Sequence, residues 1–281
     1  MKLTVNGQAA YAYTGGRDHR ADEPAIVFIH GALNDHSVWI LQSRYLAHHG
    51  RRVLAVDLPG HGRSAGRPLA DVGSIAQWVL DAMTAAGIDR ATLVGHSMGS
   101  LVAMAAAALA PARIDGIALV GTAMPMPVSD VLLQAAATDE ARAIGMILKW
   151  SHSALNHPPG HPGPGFSIYQ GSRQLMRRQK PGTLLVDFNA CNDWTGGPAA
   201  LAQLRCPVLI VSGAQDQMTP PRASAAIVEA LAARPDAADV PVTRCTLEHC
   251  GHNIMAEQPA ALLDALTHWL AGLPRPAAAL S

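Results

Sequence analysis

Thr92-Leu93-Val94-Gly95-His96-Ser97-Met98-Gly99-Ser100 is an apolar run that stops at a glycine-bracketed serine and restarts as an alanine-rich segment. It reads as a buried strand, a sharp turn and a buried helix. A serine at so tight a turn sits in strained backbone and tolerates no bulk on either side, which is what Gly95 and Gly99 supply. The turn lifts the Ser97 hydroxyl above the sheet edge. The first N–H groups of the next helix lack intrahelical acceptors and sit at its positive end, so Met98 N–H is placed to receive a developing oxyanion.

Working outward, the same strand-then-helix grammar recurs on both sides. Asn6-Gly7 between short alternating stretches predicts a hairpin. Pro24–His30 and Arg52–Asp57 are continuous apolar runs suited to strands buried on both faces. Between them, His36–His49 has helical spacing and ends at Gly50. Gly73–Ala86 predicts a helix closed by Gly87, the helix after Ser97 runs to about Ala110 before Pro111, and Ile114–Val120 predicts the next strand. The order βαβαβαβ requires a parallel sheet with right-handed crossovers.

The alternation then lapses. Residues 124–194 hold predicted helices at Val131–Trp150 and Phe166–Gln179, separated by the Pro/Gly-rich stretch His157–Gly165. A connection of about 70 residues inside a compact domain reads as a functional helical insert over the active-site edge, with that stretch as a hinge. Strand and helix alternate again through Cys206–Val211, Pro221–Ala233, Val240–Leu247 and Glu257–Leu270. Residues 274–281 read as a frayed end. The expected domains are a core formed by 1–123 with 195–281 and a cap formed by 124–194.

Composition narrows the function. The 281 residues carry 21 basic and 21 acidic side chains, with no basic cluster, which excludes nucleic-acid binding through a charged face. Leu101–Ala110, the longest apolar run, is too short to span a bilayer. The first ten residues lack a signal-peptide core, so a cytoplasmic protein is expected. Cysteines 191, 206, 245 and 250 lack paired metal-site spacing and are expected as free thiols.

A serine hydroxyl needs a neutral imidazole to take its proton and a carboxylate to orient that imidazole. Asp216 and His252 both follow predicted strands and leave the sheet from the carboxyl edge used by Ser97, with His249 as the substitute base. Asp57 fits a loop-ordering task instead. Ala32 N–H, after the strand ending at His30, is the second expected oxyanion donor. His30 reads chiefly as a structural histidine and His96 as a packed side chain lining the site. Both join Met124, Met146 and Trp150 as expected substrate-side residues.

These motifs, His30-Gly31-Ala32 with Trp39, Asp57–Ser64, Gly95–Gly99, Ser212–Asp216 with Pro220, and Gly251-His252 before Glu257-Gln258-Pro259, resemble the α/β-hydrolase fold superfamily across nearly the whole chain. The likeness is strongest to its carboxylesterases and to the group of pimeloyl-carrier methyl ester esterases, C–C bond hydrolases and enol-lactonases. It implies a mostly parallel eight-stranded sheet flanked by helices, with a helical cap inserted after the sixth strand. It also implies a Ser97–Asp216–His252 triad and an Ala32/Met98 oxyanion hole. The activity it implies is hydrolysis of a small-molecule ester with no metal or organic cofactor; a homodimer is the assembly allowed for, and the sequence leaves the oligomeric state open. C–C cleavage, with Arg173, Arg177 or Arg178 holding the charged intermediate, and lactone opening share that triad. A non-catalytic binding module is the remaining alternative.

Overall fold

The computed structural model describes residues 1–18, 20–156 and 167–273, so the Pro/Gly stretch 157–165 and the end 274–281 lie outside the described residues. Strands β1 (Lys2–Val5) and β2 (Gln8–Tyr13) form the predicted hairpin, with Asn6 and Gly7 at φ 50° and 75°. Positive φ at both central residues is what a two-residue hairpin with the right twist demands. β3 (Ala25–Ile29) follows, then a 3-10 turn (His36–Trp39) leading into α1 (Ile40–His48), and β4 (Arg52–Val56). Next come α2 (Val72–Ala85), β5 (Ala91–His96), α3 (Met98–Leu109) and β6 (Ile114–Val120).

Among the described residues four helices separate β6 from the last α/β units: α4 (Asp130–Thr138), α5 (Glu140–Ser151), α6 (Ile168–Arg177) and α7 (Thr183–Asn192). Then come α8 (Gly197–Gln203), β7 (Val208–Gly213), α9 (Ala225–Ala232), β8 (Val242–Leu247), α10 (Ile254–Glu257) and α11 (Pro259–Ala271). The eight strands among the described residues form one sheet in the order β1-β2-β4-β3-β5-β6-β7-β8, parallel from β4 onward.

Period-two alternation sends the strand residues to two layers. Val27 and Ile29 pack with Leu54, Val79, Leu101 and Met104 under α2 and α3. Ile26 and Phe28 pack with Val53, Val94, Trp39, Leu262 and Leu266 under α1 and α11. Such strands, apolar on both faces, read as continuous hydrophobic runs. A third cluster joins α4 to α7 through Leu132, Ile144, Leu148, Leu184 and Phe188, and Leu33 of the loop after β3 belongs to it.

Three expectations change. The helix predicted over Val131–Trp150 is two helices, because Asp139 leaves the helical region (φ −152°, ψ 77°) and its carboxylate caps α5 by accepting from Arg142 N. The closing helix likewise divides before Pro259, which lacks the N–H to continue a helical ladder. Helices α7 and α8 were not legible in the sequence. In α7 the run Leu184-Leu185-Val186 and Phe188 surrounds the axis without a polar face, so no stripe marks it.

The helices after β6 are tied to the core by charge as well as packing. Asp35, after β3, accepts from the Arg178 guanidinium at 2.7 Å, from Gln179 Nε2 at 3.1 Å and from Ser37 N at 2.9 Å. Burial alone would raise its carboxyl, but the Ser37 hydroxyl and amide, with Arg178, hold it down to about 2 from 3.8. A depressed folded-state value contributes stability that is present above pH 4 and lost as pH falls through 2. Asp35→Asn is therefore expected to cost about 2 kcal/mol at pH 7, with the difference from wild type shrinking from about pH 4 and vanishing once pH has fallen through about 2. Denaturant unfolding followed across that range checks it.

Candidate active site

Ser97 stands between β5 and α3 at φ 52°, ψ −119°, a conformation that L residues other than Gly rarely adopt. The surroundings leave no alternative. Ser97 N donates to Val120 O at 2.9 Å, and Ser97 O accepts from Ser100 N at 2.8 Å and Ser100 Oγ at 2.6 Å. A Cβ on Gly95 would meet Gly99 O at 2.0 Å, and one on Gly99 would meet Ile29 O at 2.4 Å. Both glycines are thus required by close backbone approach across the elbow.

His252 and Asp216 come together from the ends of β8 and β7. His252 Nδ1–H donates to Asp216 Oδ2 at 2.7 Å, and Thr219 Oγ1 donates to the same oxygen at 2.8 Å. Asp216 Oδ1 accepts from the backbone N–H groups of Met218 and Thr219, each at 2.8 Å. Burial pushes the Asp216 carboxyl up, but the adjacent His252 and these hydrogen bonds outweigh it and hold the group below its ordinary value. The bond from His252 Nδ1 leaves Nε2 as the ring nitrogen available to a substrate or nucleophile. His249 lies exposed at φ 54°, out of reach of that role.

His96 packs beside His252, ring centroids 4.7 Å apart, and its Nε2–H donates to His252 O at 2.9 Å. Burial and the nearby His252 lower it to about 3, so it stays neutral and supports the His252 backbone without competing for charge. Gly121 at φ 59° makes room, since a Cβ there would stand 3.1 Å from the His252 ring.

Ala32 and Met98 flank Ser97, and their N–H groups find no protein acceptor among the described residues. The next amide, Leu33 N–H, is already committed to Asp187 Oδ2 at 2.8 Å. Asp57 does the loop-ordering work expected of it, accepting from His36 N and Arg63 N at 2.8 Å each.

Ser97, His96, His252 and Ala32 line one cavity of about 50 Å³. Its other walls are apolar at Val38, Ile147, Met176 and Phe188 and polar at Asn34, Ser151, His152 and Asn253. Asn253 Nδ2 donates to Ser172 Oγ at 2.8 Å and to His152 Nε2 at 3.2 Å, so the polar wall is a connected network.

Four of the five expected substrate-side residues other than His96 are placed elsewhere. His30 is fully buried and does not line the cavity, donating from Nδ1 to Gly31 O at 2.8 Å and accepting from Leu58 N at 3.1 Å. Burial and the neighbouring His61 lower it to about 4. Met124 packs against Gly197 and Trp194. Met146 and Trp150 pack among α4 to α7. On α5 the cavity takes Ile147 and Ser151, four residues apart on one face, and Met146 and Trp150 occupy the adjacent stripe. Arg178 is engaged by Asp35, and no arginine lines the cavity among the described residues.

One His/Asp group has metal-ligand proximity among the described residues, Asp35 with His36 and Asp57. Its carboxylates are taken up by backbone amides, Arg178 and Gln179, so it reads as a structural knot.

A family model described as "Alpha/beta hydrolase family" matches residues 26–265. The chain belongs to the alpha/beta hydrolase family. Within the family it is 32% identical over 123 residues to esterase YbfF of Escherichia coli (strain K12), a match covering 44% of this chain and 45% of that protein. It is 28% identical over 268 residues to the putative carbamate hydrolase RutD of Escherichia coli O1:K1 / APEC, covering 90% and 93%. The chain spans only 26% to 45% of the length of several curated relatives, YbfF among them. The enol-lactonase structure from Burkholderia xenovorans LB400 superposes with a TM-score of 0.80 at 21% identity, over 96% of this chain and 100% of that one, a likeness of fold. No helix of the described residues is long and apolar enough to cross a membrane.

Proposed function

We propose that the protein is a serine hydrolase that cleaves a small carboxylic ester through an acyl-enzyme. The observation that supports the reading is the convergence on one cavity of a strained Ser97, a His252 held by Asp216, and Ala32, with the uncommitted Met98 N–H next to Ser97 in the chain. His252 Nε2 takes the Ser97 proton as Oγ attacks the carbonyl carbon. Ala32 and Met98 N–H groups receive the oxyanion, worth about 100-fold or more in turnover per donor in such sites. His252 then protonates the leaving alkoxide, and water, deprotonated by the same imidazole, releases the acid and restores Ser97. In this reading residues 124–194 act as a cap whose inner face shapes the pocket.

The cavity of about 50 Å³ is far smaller than the several hundred Å³ typical of drug-sized ligand sites, which favours a short acyl or alkoxy group. Across p-nitrophenyl esters from acetate to dodecanoate, turnover is expected to peak at acetate to butyrate and to fall steeply by octanoate. A flat profile would refute the size argument, and no turnover on any ester, with Ser97 inert to a fluorophosphonate, would refute the esterase reading. The near-full-length match to the putative carbamate hydrolase RutD supports a second reading, in which the scissile carbonyl is a carbamate's. A p-nitrophenyl carbamate turned over faster than every ester would favour it.

A further inference from the structure

We propose that Asp187, on α7, is a positioning residue for the oxyanion loop: with His61 it forms a buried clasp that anchors the Ala32–Leu33 peptide and so fixes the preceding one, which carries Ala32 N–H. The inference rests on the serine-hydrolase reading above and names a residue outside the triad on which that chemistry depends.

The clasp joins three distant parts of the chain. One oxygen, Asp187 Oδ2, accepts both from Leu33 N at 2.8 Å and from His61 Nε2 at 2.9 Å. Asp187 and His61 are 1% and 2% exposed. On its other side His61 Nδ1 faces Pro59 O at 3.0 Å. Both ring nitrogens therefore face oxygens that can only accept, which requires a proton on each and makes the ring an imidazolium. The other titratable groups facing it are Asp57 at the end of β4 and His30 at the end of β3, whose ring centroid lies 4.9 Å away. Burial opposes the charge, and the Asp187 carboxylate outweighs it and holds His61 above its ordinary value.

Leu33 is the reason such a clasp is needed. It sits at φ 53°, which a leucine adopts only where its surroundings over-determine it, and the turn's own bond, Asn34 N to Gly31 O, is long at 3.3 Å. The bond to Asp187 both holds that conformation and removes Leu33 N–H from competition, leaving the N–H of Ala32, which lines the cavity, as the uncommitted donor. A buried ion pair is weak evidence for stability by itself, since apolar replacements of similar volume often do as well. Its value here lies in where it places one peptide.

The test is Asp187→Asn, which keeps the volume. Without the carboxylate His61 loses its proton, and a carboxamide that turns its N–H2 toward the neutral ring withdraws the acceptor from Leu33 N. The expected result is kcat lower by about 10- to 100-fold with KM within about 3-fold, by analogy with loss of an oxyanion donor. The Ki of a trifluoromethyl ketone, which forms the tetrahedral oxyanion, is expected to rise in parallel. Wild-type kcat and ketone Ki in a folded Asp187→Asn protein, or a loss lying wholly in KM, would overturn the inference. Should the variant not fold, nitrogen-15 spectra of the wild type decide: both His61 ring nitrogens protonated at pH 7 is expected, and a neutral ring overturns the clasp. Wild-type protein that turns over no ester removes the hydrolase reading and this inference together, whereas wild-type turnover with an unaffected variant removes the inference alone.

Discussion

Ser97→Ala is expected to lower ester turnover by about 10⁴-fold or more while leaving the melting temperature unchanged, because it deletes the proposed nucleophile without disturbing the packing around it. The backbone bonds that shape the elbow, Ser97 N to Val120 O and Ser100 N to Ser97 O, do not involve the hydroxyl. Alanine at φ 52° is as strained as serine, so the folded state gains no relief. A residual rate above that of water is expected from the Ala32 and Met98 N–H groups, which would still hold the oxyanion for attack by water. Steady-state kinetics with calorimetric melting checks both parts. Full turnover in the variant would remove Ser97 from the chemistry and with it the acyl-enzyme.

Asp216→Asn carries the second large effect, a fall in kcat of about 10³- to 10⁴-fold at pH 7. The reason lies in the hydrogen bonds already made. Asp216 Oδ1 accepts from two backbone amides, so an asparagine keeps its single oxygen there and turns its N–H2 toward His252. His252 Nδ1 must then accept, which moves the ring proton to Nε2 and leaves no lone pair for the Ser97 proton. The change is nearly isosteric and the amide contacts survive, so KM and the fold are expected to change little. Rates of fluorophosphonate labelling, which need the activated serine but no leaving alcohol, should fall by a factor similar to kcat. Labelling at the wild-type rate would mean that another group orients His252, for which Thr219 Oγ1, 3.0 Å from Nδ1, is the neighbour in place.

Much of this site could be read from residue types because each step of the reading was local. Gly95 and Gly99 announce an elbow, since only a missing Cβ permits the approaches of 2.0 and 2.4 Å found there. Asp216 and His252 were found from their places after buried strands, since the carboxyl ends of parallel strands share one edge. The cavity wall resisted the same approach. Trp150 and Ile147 are equally apolar and lie on one helix, and the choice between them depends on how α5 is rotated against its neighbours. Asp187 gave no signal at all. It lies in a helix without an apolar stripe, and its partners are 126 and 154 residues away.

The sequence by itself determined the parallel α/β sheet, the tight turn at Ser97 and the places of Asp216 and His252 after neighbouring strands. Hydrophobic period and glycine placement report directly on burial and backbone geometry, and both are properties of short stretches. Tertiary structure alone decided which face of the inserted helices meets the cavity, that His30 is bound to Gly31 and Leu58 instead of lining it, and that Asp187 reaches Leu33 of the loop after β3. Periodicity shows that a side chain is buried but not against what, because the partner is chosen by the rigid-body placement of elements far apart in the chain.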